Sequence, residues 1–334
     1  VTRWVADPGI GWRILLTATL PEPAGLAERL GAVSAQQAWP PPPAVRRSDD
    51  LATLRAGLVD AHPAPLLVGS TGDQLVLSAH HSAVDGLGLL TLLERLGAGE
   101  VRSGARGVGS RPTSGSAART TTRRLREALL HPPARVTPAR AAEDPTAPGD
   151  VLVECTVPGS HRTAALVDAA ARAVVARERA RGRAAEHVAI AVGAVREQAG
   201  AADGPVADRS VLLRLTDVER LDAAGIATAL AQAPVQTPPS TAAGGHPLVA
   251  KATGAALRAL APRLGSTLLV SHLGEVMAPG VRALSFHPVT AGGTGLSLGA
   301  VGLDGATVLT LRGRAAQWND NGLEQLLEAV VSLL

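Results

Sequence analysis

The sequence predicts an α/β protein in two parts, and three observations carry that prediction. Strand-like and helix-like segments alternate through both halves of the 334 residues, the signature of mixed α/β layers. Between the halves, residues 101–149 turn to Gly, Ser, Pro and Arg, the composition of a boundary. Hydrophobic residues make up 46% of the chain and charged residues 18%, enough to bury a sizeable core. The expected division is an N-terminal subdomain at 1–100, a linker with one short helix at 101–149, and a C-terminal subdomain at 150–334.

Each element has its own signal. Residues 12–20 read as a strand, ended by Pro21, and Leu26 and Leu30 at i, i+4 mark a helix from Pro23 to about Val33. Pro40–Pro43 must be loop, and a helix is expected over Asp49–Val59. Strands at Pro65–Gly69 and Gln74–His80 flank Ser70-Thr-Gly-Asp73, a hairpin turn. A short, very apolar helix follows at Leu87–Leu96, and another near Thr120–Leu130. The second half opens with a strand at 150–157 and a helix over Arg162–Arg181, with Leu166, Ala169, Ala173 and Val174 on one face. Strands at His187–Val192 and Arg209–Leu215 come next, then helices near 218–231 and Pro247–Leu260. Strands at 266–271, 281–286, 295–303 and 306–313 and a helix at 320–334 close the chain.

Composition excludes several classes. No apolar run reaches the roughly 18–20 residues of a membrane span, and Val1-Thr-Arg-Trp-Val lacks the features of a signal peptide. Cys155 stands alone, so no internal disulfide forms, and a cytoplasmic location is expected. Within Val151–Val157 it reads as a small hydrophobe rather than a nucleophile. The pI near 10.2 suggests nucleic acid, but the charge is concentrated in one place. Residues 101–140 hold nine arginines and one acid, Glu127, which leaves 23 basic and 28 acidic residues elsewhere. Tyrosine is absent, Phe286 is the only phenylalanine, and four tryptophans are few for stacking platforms. Nucleic-acid binding is not expected. The arginine segment reads either as a solvated linker or as a docking strip for CoA phosphates or an acidic carrier protein.

One motif is specific: His80-His81-Ser-Ala-Val-Asp85-Gly86. In this composition such spacing arises by chance in about one chain in a thousand. An apolar strand runs into the histidines and an apolar helix starts after Asp85. Alternation places the two histidine side chains on opposite faces. Asp85 is placed as a helix N-cap, and Gly86 allows a tight turn.

Strand, HHxxxDG and helix resemble the condensation domains of nonribosomal peptide synthetases and their free-standing relatives, among them chloramphenicol acetyltransferase. Val270-Ser-His-Leu-Gly274 is similar to the family's Ser-Asn-x-Gly segment, with His272 in place of asparagine. The region before the motif is shorter than usual for the family, and the Asp-Phe-Gly-Trp-Gly segment of plant relatives has no counterpart. The resemblance implies two chloramphenicol-acetyltransferase-like α/β subdomains in a V, with a tunnel between them. It also implies an acyltransferase in natural-product or lipid biosynthesis. The acyl group would come from a pantetheine thioester, on CoA or an acyl carrier protein, and pass to a small amine or alcohol acceptor. The thioester is a co-substrate, and no cofactor is bound permanently. His81 would be the catalytic base, meeting the thioester from one side and the acceptor from the other. His80, Asp85 and Gly86 would support the loop, Asp85 through an arginine of the other subdomain such as Arg196. Ser271, taken as a strand end, is a candidate donor to the oxyanion or simply a polar cap. Two alternatives stay open: a carrier-binding scaffold without turnover, and a condensation-fold enzyme of cyclisation or epimerisation.

Other patterns carry less. Gly295-Leu-Ser297-Leu-Gly299 matches GxSxG, but strand rather than helix follows, and no histidine comes after His287. His287 itself reads as a strand end. The Gly-rich spots match no nucleotide-binding spacing, and the nine histidines form no metal spacing.

Overall fold

The computed structural model describes residues 4–5, 11–60, 62–115, 117–138, 146–196, 206–236, 263, 265–290 and 295–334. Two sheets carry the molecule, with seven α-helices among the described residues. The expected α/β fold in two parts is the one observed.

The first part begins with β1 (Arg13–Thr19), α1 (Leu26–Gln36), the short β2 (Arg46–Arg47) and α2 (Leu51–Val59). It continues through β3 (Leu66–Thr71), β4 (Gln74–His80) and α3 (Gly86–Leu93). Alternation sets its layers. Leu16, Ala18, Leu75, Leu77 and Ala79 share a core with α1 and α3, whereas Leu15, Leu67 and Val76 pack with Leu54 and Leu58 of α2. The β3–β4 hairpin turns through Gly72, whose φ of 55° suits glycine. β4 lies antiparallel to β1 with His80 opposite Arg13.

A short β5 (Arg102–Ser103) and α4 (Ala117–Leu130) lead to the second part. There β6 (Asp150–Pro158), α5 (Thr163–Ala180), β7 (Ile190–Val195), β8 (Ser210–Leu215) and α6 (Ala223–Gln232) follow in turn. The chain ends with β9 (Leu268–Met277), β10 (Ala283–His287), β11 (Leu296–Leu303), β12 (Ala306–Arg314) and α7 (Asp320–Val331). The second sheet runs β6-β12-β11-β9-β7-β8, with β5 also on β9. One face, including Leu268, Val270, Leu298 and Leu309, is covered by α5, α6 and α7. The other face, including Ala191, Leu269, Leu273 and Val301, joins the core of the first part.

β10 is the exchange between the parts. It comes from the last third of the chain yet pairs antiparallel with β1, so the first sheet runs β10-β1-β4-β3-β2. The arginine-rich segment is also anchored: Glu127 of α4 receives two hydrogen bonds from Arg214 of β8, at 2.5 and 2.7 Å. Arg111 donates to the carbonyl of Leu230 at 2.7 Å.

Some sequence readings shift. The helix expected near 218–231 is a 3-10 turn, Val218–Arg220, followed by α6, because Asp222 caps a new start by accepting from the Gly225 N–H at 2.7 Å. β7 starts at Ile190 rather than His187. His187 instead takes a φ of 62° and holds Asp217 through Nδ1 at 2.7 Å. The helix expected at Pro247–Leu260 lies outside the described residues. Ser297 sits fully buried within β11, so GxSxG forms no nucleophile elbow.

Candidate functional site

The β4–α3 turn is built by main-chain bonds that leave the two histidines in different settings. The His80 N–H donates to the Pro65 carbonyl, and the His80 carbonyl accepts from Ala83 and Val84. The chain therefore turns sharply just after the sheet. His80 is 4% exposed, and Trp4 meets its ring edge-on at 5.5 Å between centroids. Its Nδ1 lies 2.8 Å from the Ser82 hydroxyl and 3.4 Å from the Ser82 N–H. An N–H only donates, so Nδ1 of His80 is the acceptor.

His81 is the reverse. It is half-buried in the turn, its N–H donates to the Trp12 carbonyl, and its Nδ1 lies 3.3 Å from the Val84 carbonyl. A carbonyl only accepts, so Nδ1 is the donor in this contact, and in a neutral ring the lone pair is then on Nε2.

Asp85 joins the two halves of the chain. It caps α3, with Oδ1 accepting from the Gly88 N–H at 2.7 Å. Its Oδ2 accepts from the main-chain N–H of Arg209 at 2.9 Å. Burial pushes its carboxyl pKa up, against the pull of these two N–H groups. The contact across the parts is thus to a main-chain amide, not to the Arg196 side chain. Arg196 sits beside this link, its own N–H donating to the Arg209 carbonyl.

Gly86 has a different reason from the one expected. It is the first residue of α3, and it is not among the positive-φ glycines. A Cβ there would lie 2.6 Å from Cδ2 of Leu273 and 3.1 Å from Cζ of Phe286. It is glycine because the helix start presses against β9 and β10, not because the turn needs a left-handed residue.

Ser271 does not end a strand. β9 continues to Met277, and Ser271 lies within it, opposite Gly193 of β7 and Gly299 of β11. It shares a face with Leu269 and Leu273, the face turned to the first part. Leu273, which touches the Gly86 position, is two residues away, about 6.6 Å along the strand. The Ser271 hydroxyl occupies the space over Gly193, 2.9 Å from where a Cβ would stand. His272 points the other way, its Nδ1 3.2 Å from Thr163 Oγ1, and burial lowers its pKa to about 4.

Other candidates stand apart. Burial raises the Cys155 thiol, with Glu154 and Glu328 adding to the shift, which disfavours the thiolate a nucleophile needs. His287 is fully buried at the end of β10. Among the described residues, no group of three His, Cys, Asp or Glu side chains could hold a metal. Nor is any described helix long and apolar enough to cross a membrane. Sequence reasoning did not find Arg209, Leu273 or Phe286, and none carries a local signal for its place here.

No family model matches the chain. No curated protein matches it either. Solved structures do. The cyclization-docking bidomain of the EpoB synthetase from Sorangium cellulosum matches with a TM-score of 0.55 at 13% identity, over 96% of this chain and 79% of that one. The epimerization domain from the third module of tyrocidine synthetase B gives 0.54 at 12% identity, over 98% and 92%. A variant of the starter condensation domain of rhizomide synthetase, in complex with C8-CoA, gives 0.54 at 14% identity, over 96% and 87%. With HHxxxDG between its strand and helix, and two sheets that share a core, this chain has the fold of these condensation, cyclization and epimerization domains.

Proposed function

We propose that this protein is an acyltransferase that moves an acyl group from a pantetheine thioester, on CoA or a carrier protein, to an amine or alcohol. The observation that carries the reading is the His81 ring: Nδ1 faces the Val84 carbonyl at 3.3 Å, which in the neutral ring leaves on Nε2 the lone pair a base needs. The solved likeness to a domain bound to C8-CoA supports a CoA-type donor.

In this reading Nε2 of His81 takes the proton from the acceptor hydroxyl or amine as its oxygen or nitrogen attacks the thioester carbonyl. A placed base of this kind contributes about 10²–10⁴-fold. The tetrahedral oxyanion then collapses, the C–S bond breaks, and the imidazolium returns the proton to the departing sulfur. Ser271 is the candidate hydroxyl donor to the oxyanion, on the β9 face turned toward the first part. Asp85 holds the loop, and the tunnel between subdomains 1–100 and 150–334 would admit the thioester arm and the acceptor from opposite sides.

The test is thiol release from a panel of acyl-CoA and acyl-carrier thioesters, with and without amines and alcohols. Acceptor-dependent release that His81→Ala abolishes supports the reading. No acceptor-dependent release across a broad panel rejects it. The cyclization and epimerization domains among the similar structures favour a second reading, in which the same base acts on a single carrier-bound substrate. Mass change of a carrier-bound peptide by loss of water, or proton exchange at its α-carbon, would identify that chemistry.

A further inference from the structure

Residues 206–209 form a strap that crosses from the second part to the first and is fastened at both ends. At one end the Val206 N–H donates to Oε1 of Gln37, the residue capping α1, at 3.0 Å. At the other end the Arg209 N–H donates to Oδ2 of Asp85 at 2.9 Å. Three residue steps span at most about 10 Å, so the two fastenings cannot move independently. Between them, the Val206 side chain packs onto the first core and lies over Gly88. Beyond Arg209 the chain enters β8 directly, where Asp208 accepts from the Ser210 N–H at 2.9 Å. The strap is therefore fixed to the second sheet and hooked onto the first part.

What hangs on the strap is the His81 ring. Asp85 directly follows Val84, whose carbonyl takes the His81 Nδ1–H. With both carboxylate oxygens occupied, Asp85 holds one orientation, and so does the peptide before it. Release of the Arg209 N–H leaves Asp85 held only from its own helix, through Gly88 and Leu89, and removes the one fastening of the Val84–Asp85 segment that comes from the second part. The ring then samples its other tautomer, in which Nε2 carries the proton. Gln37 shows the same bias toward its oxygen: its buried Nε2 has no hydrogen-bond partner while Oε1 holds the strap.

We propose that Gln37 is a positioning residue for His81, acting through the 206–209 strap and Asp85 to hold the imidazole as the Nδ1–H tautomer. This rests on the reading of His81 as the base. Gln37 belongs to no motif and is 44 positions from His81 in the sequence. Its effect is on the tautomer of a side chain that it does not touch.

The test uses the full chain with ¹⁵N-labelled histidine, where long-range ¹H–¹⁵N correlations report the His81 tautomer without any substrate. The His81 signal is assigned by its loss in His81→Ala. Gln37→Met keeps the shape and removes the acceptor, whereas Gln37→Glu keeps an acceptor oxygen. The wild type and Gln37→Glu should show the Nδ1–H form. Gln37→Met should show a mixture, with kcat in the thioester assay lower by about two- to tenfold and KM little changed, as expected for one lost hydrogen bond. Should Gln37→Met fail to fold, Val206→Pro removes the same bond from the donor side and is read in the same way. An unmixed Nδ1–H signal in the acceptor-less variant overturns the proposal, as does equal loss in Gln37→Glu. A tautomer response without acyl transfer in any variant would reject the acyltransferase reading and leave the coupling standing.

Discussion

Nη1 of Arg312, in β12, donates to the main-chain carbonyl of Arg13, in β1, at 2.8 Å. The bond links the two sheets between residues that are almost wholly buried, at 1% and 0% exposure. Arg312 is neutralised on its own side by Asp150, at 2.6 Å, and it also donates to the Pro288 carbonyl. Arg13 uses its own guanidinium on the Ser78 hydroxyl and carbonyl and on the carbonyls of His62 and Ala64. Burial, with Arg46 nearby, lowers its pKa to about 10, still well above neutrality. Arg13 therefore keeps its charge, Arg312 faces the Asp150 carboxylate, which opposes the lowering of its pKa by burial, and the joint between the sheets is polar.

The first prediction follows from this joint. Arg312→Met removes the bond to β1 and leaves the Asp150 carboxylate buried without its cation. Loss of one partner of a buried pair costs about 3–5 kcal/mol. Chemical denaturation should show that loss. The double variant Arg312→Met with Asp150→Asn should recover a large part of it. A single variant as stable as the wild type would show that the pair contributes nothing to the joint.

The packing at Gly86 yields the second. Gly86→Ala drives a methyl into Leu273 and Phe286, an overpacking that costs about 1–3 kcal/mol. Shortening the neighbour opens the space, so Leu273→Ala should be less damaging in the Gly86→Ala background than alone. The measurement is a double-mutant cycle of unfolding free energies, and strict additivity would contradict the contact.

The third concerns pH. His272 and His287 are neutral in the folded protein near neutral pH, His272 with a pKa lowered by burial to about 4 and His287 with one lowered well below its ordinary value by burial and by Arg55 and Arg312. Their unfolded value is about 6.5. Because the folded value is depressed, the unfolded chain binds more protons below pH 6.5. Stability should be intact above that pH and fall as pH drops toward 4, by about 1.4 kcal/mol per pH unit for each such histidine. His272→Gln should remove one share of the slope. An unchanged slope in that variant would place the protonation elsewhere.

Asp85 gives the fourth. Asp85→Ala deprives Gly88, at the start of α3, and Arg209, just before β8, of their acceptor, and the lost cap and unsatisfied amides cost about 1–3 kcal/mol. The variant should lose both thermal stability and activity. Loss of activity with an unchanged melt would mean that Asp85 acts on the chemistry directly.

How much of this was legible depended on whether a contact needs a particular side chain. The β4 strand, the Asp85 cap and the apolar α3 were readable, because alternation, a capping carboxylate and a leucine run each have a physical cause within a few residues. The partner of Asp85 was not. It is a main-chain N–H, which any residue except proline supplies, so Arg209 carries no mark of it. Ser271 was misplaced because the strand was read as 266–271, whereas β9 runs on to Met277 through Gly274. Gly274 takes a φ of 77° within β9, and a Cβ there would lie 2.7 Å from the Ala105 N, so glycine leaves room for the chain just after β5, which pairs with the last residues of β9. Residues 281–286 read as a strand, but nothing in an isolated strand says which sheet it will complete.

The last prediction separates the adjacent histidines. They share one chemistry, and the turn gives them opposite settings: Nδ1 of His80 accepts from Ser82, while Nδ1 of His81 faces the Val84 carbonyl. In the neutral rings the lone pair is thus on Nε2 for His81 and on Nδ1 for His80, and His80 is the one buried against Trp4. His81→Ala should therefore stay folded, with a melt close to wild type, while kcat falls by about 10²–10⁴-fold for an alcohol acceptor. The loss should be smaller for an amine that arrives already deprotonated, since the base then has no proton to remove at the attack step. His80→Ala should instead lower stability, because it empties a buried site and leaves Ser82 without its acceptor. Both variants are to be measured with one donor, two acceptor types and thermal melts. A folded His81→Ala protein of full activity with both acceptors would remove His81 from the mechanism.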